Sequence, residues 1–99
     1  MIIVFASFYP KANQIDENRV KQILINMVEP TRNEKGNSKY DLFASKESSL
    51  NNSYHLLEIY DDQTAVDYHR TTEYYRNYRK EIINHLDRPI EVKIMEKIR

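Results

Sequence analysis

The chain contains no cysteine. It can therefore form no disulfide, hold no metal or iron–sulfur cluster through thiolates, and use no cysteine nucleophile. It also has no tryptophan, and its single glycine, Gly36, cannot build a glycine-rich phosphate loop. Fifteen basic residues balance fifteen acidic ones. This neutrality argues against duplex DNA and anionic membranes as partners, since both attract basic surfaces.

Long hydrophobic runs are absent as well. No apolar segment approaches the roughly 20 residues that a membrane span requires, and the first residues lack the basic and apolar regions of a secretory signal. We therefore expect a cytoplasmic protein with no membrane partner. The 40% of hydrophobic and 30% of charged residues are typical of a globular chain, and 99 residues allow a single domain, 1–99.

Four segments have the composition and alternation of β-strands. The second of them alternates imperfectly, and a polar segment at 46–53 that follows it is predicted to be a loop. The last strand is marked by isoleucine and valine residues between Ile90 and Ile98. The predicted strands are 2–9, 38–45, 54–60 and 90–98.

Two helical regions separate these strands. In the first, Asp16 is the predicted N-cap, Ile15 is expected to pack on Val20, and Pro30 is expected to end or kink the helix. The second region is predicted to consist of two helices. A short one is capped by Asp61 or Asp62 and runs through His69, and the next is capped by Thr71 or Thr72.

The resulting order, β-α-β-β-α-β, is that of the ferredoxin-like α+β fold, an antiparallel four-stranded sheet with helices on one face. The first strand is apolar on both sides, because Ile2 and Val4 alternate with Ile3 and Phe5. A strand of this kind is covered on both faces, and the helices can cover only one. We therefore expect a homodimer in which the two sheets stack on each other.

Two segments of the chain carry a resemblance to a known family. They read Val28-Glu29-Pro30-Thr31-Arg32-x-Glu34-x-Gly36-x-x-x-Tyr40-Asp41-Leu42 and Glu58-x-Tyr60-x-Asp62-x-x-Ala65-x-x-x-His69-x-x-Thr72. In their order and spacing they resemble the antibiotic biosynthesis monooxygenase family, especially its small stand-alone members described as candidate quinol monooxygenases. The similarity extends over nearly the whole chain.

This resemblance implies a dimeric α+β barrel with a pocket between sheet and helices in each subunit. Characterised members of the family oxygenate quinol-like or polycyclic aromatic compounds without metal or flavin. Relatives with this fold degrade haem, isomerise a phosphorylated sugar or have no known activity, so the fold is implied more strongly than the reaction. The chain departs from the family in having Tyr74 where a second histidine is frequent, and in lacking the tryptophan of the haem-degrading relatives.

Oxygenation without a cofactor requires a substrate anion that can reduce oxygen, and a protein base that forms this anion. His69 is the predicted base, because an imidazole titrates near neutral pH. The alternative is a histidine that packs against the sheet and bonds a backbone carbonyl. Tyr74 is a candidate proton donor, and its alternative is a core position with a hydrated hydroxyl.

Further residues are candidates for substrate binding. Aromatic side chains would suit a flat aromatic ligand, and the candidates of this type are Tyr54, Tyr60 and Tyr68. Glu58 and Arg32 are the polar candidates, with a salt bridge that only stabilises the fold as the alternative for both. His55 is predicted to point to the opposite sheet face from Glu58, so that the two do not share a site.

The three histidines, His55, His69 and His85, match no metal-ligand spacing, and we expect neither a metal nor a cofactor. The basic residues after His69 alternate with acidic ones, which is typical of a solvated helix face rather than of an RNA-binding surface. The working hypothesis is thus a cofactor-independent monooxygenase that uses oxygen on a small quinol or enolisable aromatic compound. An isomerase of a sugar-like or keto compound and a non-enzymatic, ligand-binding or structural dimer remain the alternatives.

Overall fold

Four strands form one antiparallel sheet in a computed structural model that describes residues 1–45 and 52–99. Their order across the sheet is β2-β3-β1-β4, and three helices connect them. This is the predicted ferredoxin-like arrangement, which is therefore confirmed. The elements in chain order are β1 (Ile2–Phe8), α1 (Gln14–Arg32), β2 (Asn37–Ala44), β3 (Tyr54–Tyr60), α2 (Gln63–Thr71), α3 (Glu73–Ile82) and β4 (Glu91–Met95).

The predicted strand bounds hold to within one residue, except at the end of the last strand. The last strand ends at Met95, so the prediction that it continues to Ile98 was wrong. β4 lies at the edge of the sheet and pairs only with β1. Of the predicted loop at 46–53, residues 46–51 lie outside the described residues, and Asn52 and Ser53 precede β3 without strand structure.

The main core lies between the sheet and the helices. Side chains of β1 and β3 alternate, so that every second residue points towards the helices. α1 packs an apolar stripe onto this face with the i, i+3, i+4 spacing of an amphipathic helix. The buried hydrophobic residues of these three elements are Val4, Ala6, Phe8, Tyr54, Leu56, Tyr60, Val20, Ile23, Leu24 and Met27.

The start of α1 differs from the prediction. Asn13 is the N-cap, because its Oδ1 accepts a hydrogen bond from the backbone N–H of Asp16 at 2.8 Å. Asp16 lies in the first helical turn instead, and its carboxylate accepts a bond from the Asn13 amide. Ile15 is therefore inside the helix and 81% exposed, so the predicted contact with Val20 is not made. α1 also continues past Pro30 and ends at Arg32.

Gly36 lies in the turn between α1 and β2. Its carbonyl accepts a bond from the Asp61 N–H at 2.9 Å, which brings the turn against the start of α2. A methyl group at position 36 would lie 2.4 Å from Cβ of Ala65. A glycine is thus required at position 36, because the α1–β2 turn approaches the start of α2 too closely for a larger side chain.

Side-chain caps separate α2 from α3. Asp62 caps α2 by accepting from the Ala65 N–H, and Thr72 caps α3 by accepting from the Tyr75 N–H. Both residues belong to the predicted pairs of alternatives. α2 runs two residues beyond His69, to Thr71. The two additional residues keep His69 inside the helix, on the face that also buries Val66.

The opposite face of the sheet has no cover within the described chain. Ile3 pairs with Ile59 and Phe5 with Leu57 across the two central strands, and all four side chains are partly exposed. Phe43 of β2 is 50% exposed on the same face.

In the described residues, no helix is both long and apolar enough to cross a bilayer.

Candidate functional site

His69 occupies the centre of a cluster of tyrosines beneath α2. The side chain is buried, with 3% of the residue exposed. Tyr75 makes an edge contact with the imidazole at 4.9 Å between ring centroids, and Tyr60 lies at 5.4 Å. Tyr40 and Tyr74 complete the cluster at 6.0 and 6.5 Å. The imidazole is therefore held in place by packing as well as by hydrogen bonding.

Glu34, from the turn after α1, is the hydrogen-bond partner of this histidine. Its Oε2 lies 2.8 Å from Nδ1 of His69, and both side chains are almost completely buried. The Tyr74 hydroxyl donates a second hydrogen bond to the same Oε2. Oε1 of Glu34 is buried and makes no hydrogen bond in the described part of the chain. One carboxylate thus connects the turn, α2 and α3.

This contact determines the form of the imidazole. A carboxylate oxygen only accepts hydrogen bonds, so the proton of the neutral ring resides on Nδ1 and the lone pair on Nε2. Burial lowers the pKa of His69 below its ordinary value, although the Glu34 carboxylate acts in the opposite direction. His69 is therefore neutral at pH 7, with Nε2 able to accept a proton.

A cavity of about 30 Å³ lies beside His69, between the sheet and helices α2 and α3. Glu34 does not line it, so Nε2, on the side of the ring away from Glu34, is the nitrogen available to it. This volume is close to that of one water molecule in the liquid, whereas pockets for drug-sized ligands measure roughly 300–1,000 Å³. An aromatic ring can enter only if rim side chains move. Arg70, Arg79 and the half-exposed Val92 are among the lining residues.

Glu58 lines the same cavity from β3. It is 7% exposed, and its Oε1 accepts a hydrogen bond of 2.6 Å from the Tyr60 hydroxyl. Burial raises the pKa of Glu58 to about 7, and the bond from Tyr60 acts against this shift. Glu58 is therefore inward and paired with a phenol. The alternative of a salt bridge does not hold for Glu58, because no ion pair involves it in the described residues.

The remaining predicted site residues lie elsewhere. Tyr54 is at the opposite end of β3, roughly 20 Å from Tyr60 along the strand, and its hydroxyl donates to Glu17. Tyr68 is 59% exposed on the outer side of α2. Arg32 bonds the Tyr40 carbonyl and pairs with Asp41 at the surface, as the structural alternative predicted.

Tyr74 is near the site, but its hydroxyl is bonded to Glu34 and it does not line the cavity. The structure therefore brings together His69, Glu58 and Tyr60 from the predicted set. His55 points to the opposite sheet face, as expected, and lies 2.8 Å from the Ser7 hydroxyl.

Sequence reasoning assigned no role to Glu34. The residue lies 35 positions from His69, and the only signal was its place in the Glu-x-Gly part of the family-like segment. Tyr75 and Arg79 were also missed as cavity residues. Arg79 donates a bond of 2.7 Å to the Tyr75 hydroxyl, which fixes the guanidinium near the rim.

A larger hollow, of about 710 Å³, lies on the outer side of the α1–β2 turn. It is an open groove lined by Glu34, Asp61, Asp62 and Tyr68 among others, and the imidazole does not reach it. We place the site at the smaller cavity, because only there do two buried titratable groups face one space. No group of three or more His, Asp or Glu side chains in residues 1–45 and 52–99 could hold a metal ion.

A ferredoxin-like sheet whose helices enclose a buried imidazole defines a class of small α+β proteins, and sequence comparison identifies the family within it. Residues 1–81 match the antibiotic biosynthesis monooxygenase family. The chain belongs to this family, as the resemblance implied.

Individual relatives agree with this assignment. Rv0793 of Mycobacterium tuberculosis, named as a candidate monooxygenase, is 33% identical over 94 residues, which are 95% of this chain and 88% of that protein. Its structure superposes with a TM-score of 0.90 and covers 99% of this chain and 95% of its own. A crystal structure described as an antibiotic biosynthesis monooxygenase has a TM-score of 0.88 at 25% identity, with both chains fully covered. A protein from Nitrosomonas europaea, 18% identical with a TM-score of 0.85 and full coverage of both chains, shares the fold.

Proposed function

We propose that this protein is a cofactor-independent monooxygenase that acts on a small quinol or enolisable aromatic compound. The observation that carries the proposal is the neutral His69, held at Nδ1 by Glu34 and with Nε2 available to the adjoining cavity. Membership in the family and the similarity to Rv0793 support the same class of reaction.

The chemistry follows from what such a cavity can do. Nε2 of His69 removes a proton from an activated CH₂ group, which a quinol carries in its keto tautomer. The resulting anion transfers an electron to dioxygen, and the radical pair combines to form a carbon–oxygen bond. Loss of water then leaves a carbonyl group. The net reaction consumes one O₂ per CH₂ and yields one C=O and one H₂O.

The protein contributes a base, a water-poor space and aromatic walls. Exclusion of water strengthens electrostatic interactions in the cavity and protects reactive intermediates. The rings of Tyr60, Tyr75 and Tyr78 line the cavity and suit a flat aromatic substrate. Since the cavity as it stands has the volume of a small molecule such as O₂ or water, substrate entry requires Arg79 and Arg70 to move outward.

An oxygen electrode tests this proposal with chemically reduced naphthoquinones as substrates. We expect the purified protein to accelerate oxygen uptake and His69→Ala to abolish the acceleration. His85→Ala is the matched control, because His85 also bonds an acidic residue, Asp16, at 2.7 Å but lies outside the cavity. Equal rates for the wild type and His69→Ala would refute the assignment.

We also propose that the uncovered sheet face is the interface of a homodimer. Ile3, Phe5, Leu57 and Ile59 form a continuous apolar strip across the two central strands. Strips of this kind on a soluble chain mark interaction surfaces, and a second copy offers a strip that is complementary by symmetry. Two stacked sheets would bury it.

A further inference from the structure

We propose that Glu58 is the second proton-transfer residue of the cavity: after His69 has taken the first proton from the substrate carbon, Glu58 protonates the peroxide oxygen and then takes the second proton from the carbon. This inference rests on the proposed function. It assigns a second, distinct role within the same site to a group that lies on the sheet rather than on the helices.

The geometry of the two groups is alike. Each has one polar atom fixed by a neighbour, Nδ1 of His69 by Glu34 and Oε1 of Glu58 by the Tyr60 hydroxyl. The other atom, Nε2 or Oε2, makes no hydrogen bond in the described part of the chain, and both residues line the cavity. Two fixed groups with a free atom each, on opposite walls of one space, are the arrangement that acid–base catalysis requires.

The state of the carboxyl group supports this role. Burial raises the pKa of Glu58, which has no ion-pair partner in the described residues, while the hydrogen bond from Tyr60 and, more weakly, the charges of Arg70 and Arg79 lower it. The balance places the pKa of Glu58 at about 7. The group can therefore both give and take a proton at neutral pH, whereas an ordinary glutamate is ionised and can only take one.

Packing alone does not account for this residue. Glu58 pairs with Val4 of β1 and Tyr40 of β2, and all three point into the helix-covered side of the sheet. An apolar side chain of similar size would fill the position without the cost of burying a carboxyl group. A carboxyl at this place is unfavourable for the fold and useful for proton transfer.

The complete reaction balances with these two groups. His69 takes the first proton of the CH₂ group, and the anion and O₂ combine to a peroxide anion. The neutral Glu58 gives its proton to the outer peroxide oxygen. Glu58 then takes the second proton from the carbon while the O–O bond breaks, and the departing hydroxide takes the proton from His69 to form water. Both residues return to their starting forms.

Glu58→Gln tests the inference, because the amide has the same shape and its oxygen can still accept from Tyr60, but its N–H protons are far too weakly acidic to be transferred to the peroxide. We expect kcat for oxygen uptake to fall at least about 100-fold, the lower limit for a lost acid–base group. Exchange of the substrate carbon proton with D₂O in the absence of oxygen should stay within about threefold of wild type, since that step needs only His69.

The pH profile separates catalysis from a structural role. Because neutral Glu58 is required, wild-type kcat/KM, which reports pKa values of the free enzyme, should decline above about pH 7, and Glu58→Gln should lack this decline. Tyr60→Phe removes the hydrogen bond that lowers the pKa of Glu58, so the decline should move to higher pH. If Glu58 had only a structural role, the Glu58→Gln change would not abolish the alkaline decline, and the Tyr60→Phe change would not shift its pH.

The outcomes are distinct. The role of Glu58 would be overturned if Glu58→Gln had the same kcat as the wild type, or if the alkaline decline in Tyr60→Phe occurred at the same pH as in the wild type. Either result would leave the proposed function intact. Failure of the wild type itself to consume oxygen with any reduced quinone would overturn the proposed function, before any variant is compared.

Discussion

Nδ1 of His69 lies 2.8 Å from Oε2 of Glu34, and both side chains are only 4% exposed. A carboxylate that holds the far side of an imidazole selects the tautomer and stabilises the cation that forms when the near side takes a proton. Tyr74 donates to the same oxygen and thereby helps to hold Glu34 in place. The three residues come from the α1–β2 turn, α2 and α3, so folding of the helical layer assembles the proposed base.

Glu34→Gln should weaken the base. The carboxylate raises the pKa of His69, and its removal should shift the acidic decline of kcat to lower pH. By analogy with the loss of the carboxylate in a serine-protease triad, kcat should fall about 10²- to 10⁴-fold. Steady-state oxygen uptake across pH 5–9 measures both effects. Glu29→Gln, a change at an exposed position of α1, is the control and should behave as wild type. An unchanged profile in Glu34→Gln would contradict a positioning role.

Glu58 should make stability depend on pH. Its pKa is about 7 in the folded protein and about 4.5 when unfolded, so the protonated group stabilises the fold fully below pH 4.5. This contribution is lost as the pH rises through about 7, and it amounts to about 3 kcal/mol. Glu58→Gln lacks this titration. Between pH 4.5 and pH 8, its free energy of unfolding should therefore rise relative to that of the wild type by about 3 kcal/mol. Urea denaturation measures it. A constant difference would show that Glu58 has an ordinary pKa.

Gly36→Ala should destabilise the fold by about 1–3 kcal/mol, the usual cost of overpacking. The new methyl group would lie 2.4 Å from Cβ of Ala65, where the turn meets the start of α2. Ala65→Gly removes that methyl group at the partner position. In a double-mutant cycle, Ala65→Gly should recover part of the loss, which thermal denaturation can measure. If the effects of Gly36→Ala and Ala65→Gly on stability were simply additive, the contact between positions 36 and 65 would not be the cause of the destabilisation.

Ile59→Glu should convert the proposed dimer into a monomer. The side chain lies on the uncovered face next to Ile3, and a charge there would be buried without a partner on association, at a cost of about 2–5 kcal/mol. Ile25→Glu is the matched control, since Ile25 is exposed on α1. Light scattering at micromolar concentration measures the molar mass of the wild type and of both variants, and we expect only Ile59→Glu to be monomeric. A monomeric wild type would refute the dimer.

Local signals in the sequence were sufficient for much of the fold. β3 was predicted with its observed limits, because the mostly apolar run Tyr54–Tyr60 is bounded by polar segments on both sides. Asp62 and Thr72 were among the predicted caps. The cap of α1 was misplaced, because Asn13 and Asp16 are both good capping residues and bond each other, and only the backbone path shows which one precedes the helix.

Only part of the candidate site was predictable, because spacing within one helix is visible in the sequence and contacts between distant segments are not. The burial of His69 follows from the apolar face of a short helix, which its spacing from Val66 indicates. Its bond to Glu34 depends on how a turn and a helix distant in the chain come together, and no periodicity reports such a contact. Sequence alternation does not tell which face of a strand the helices cover, so it could not establish that Glu58 points inward.

Hydrogen–deuterium exchange at the substrate carbon, followed by NMR in oxygen-free D₂O, tests the central claim most directly. The claim is that Nε2 of the neutral His69 removes a proton within the cavity. We predict that the wild type accelerates exchange into an enolisable naphthol-type substrate and that His69→Gln does not, while His85→Ala exchanges like the wild type. Equal exchange in the wild type and His69→Gln would contradict the account.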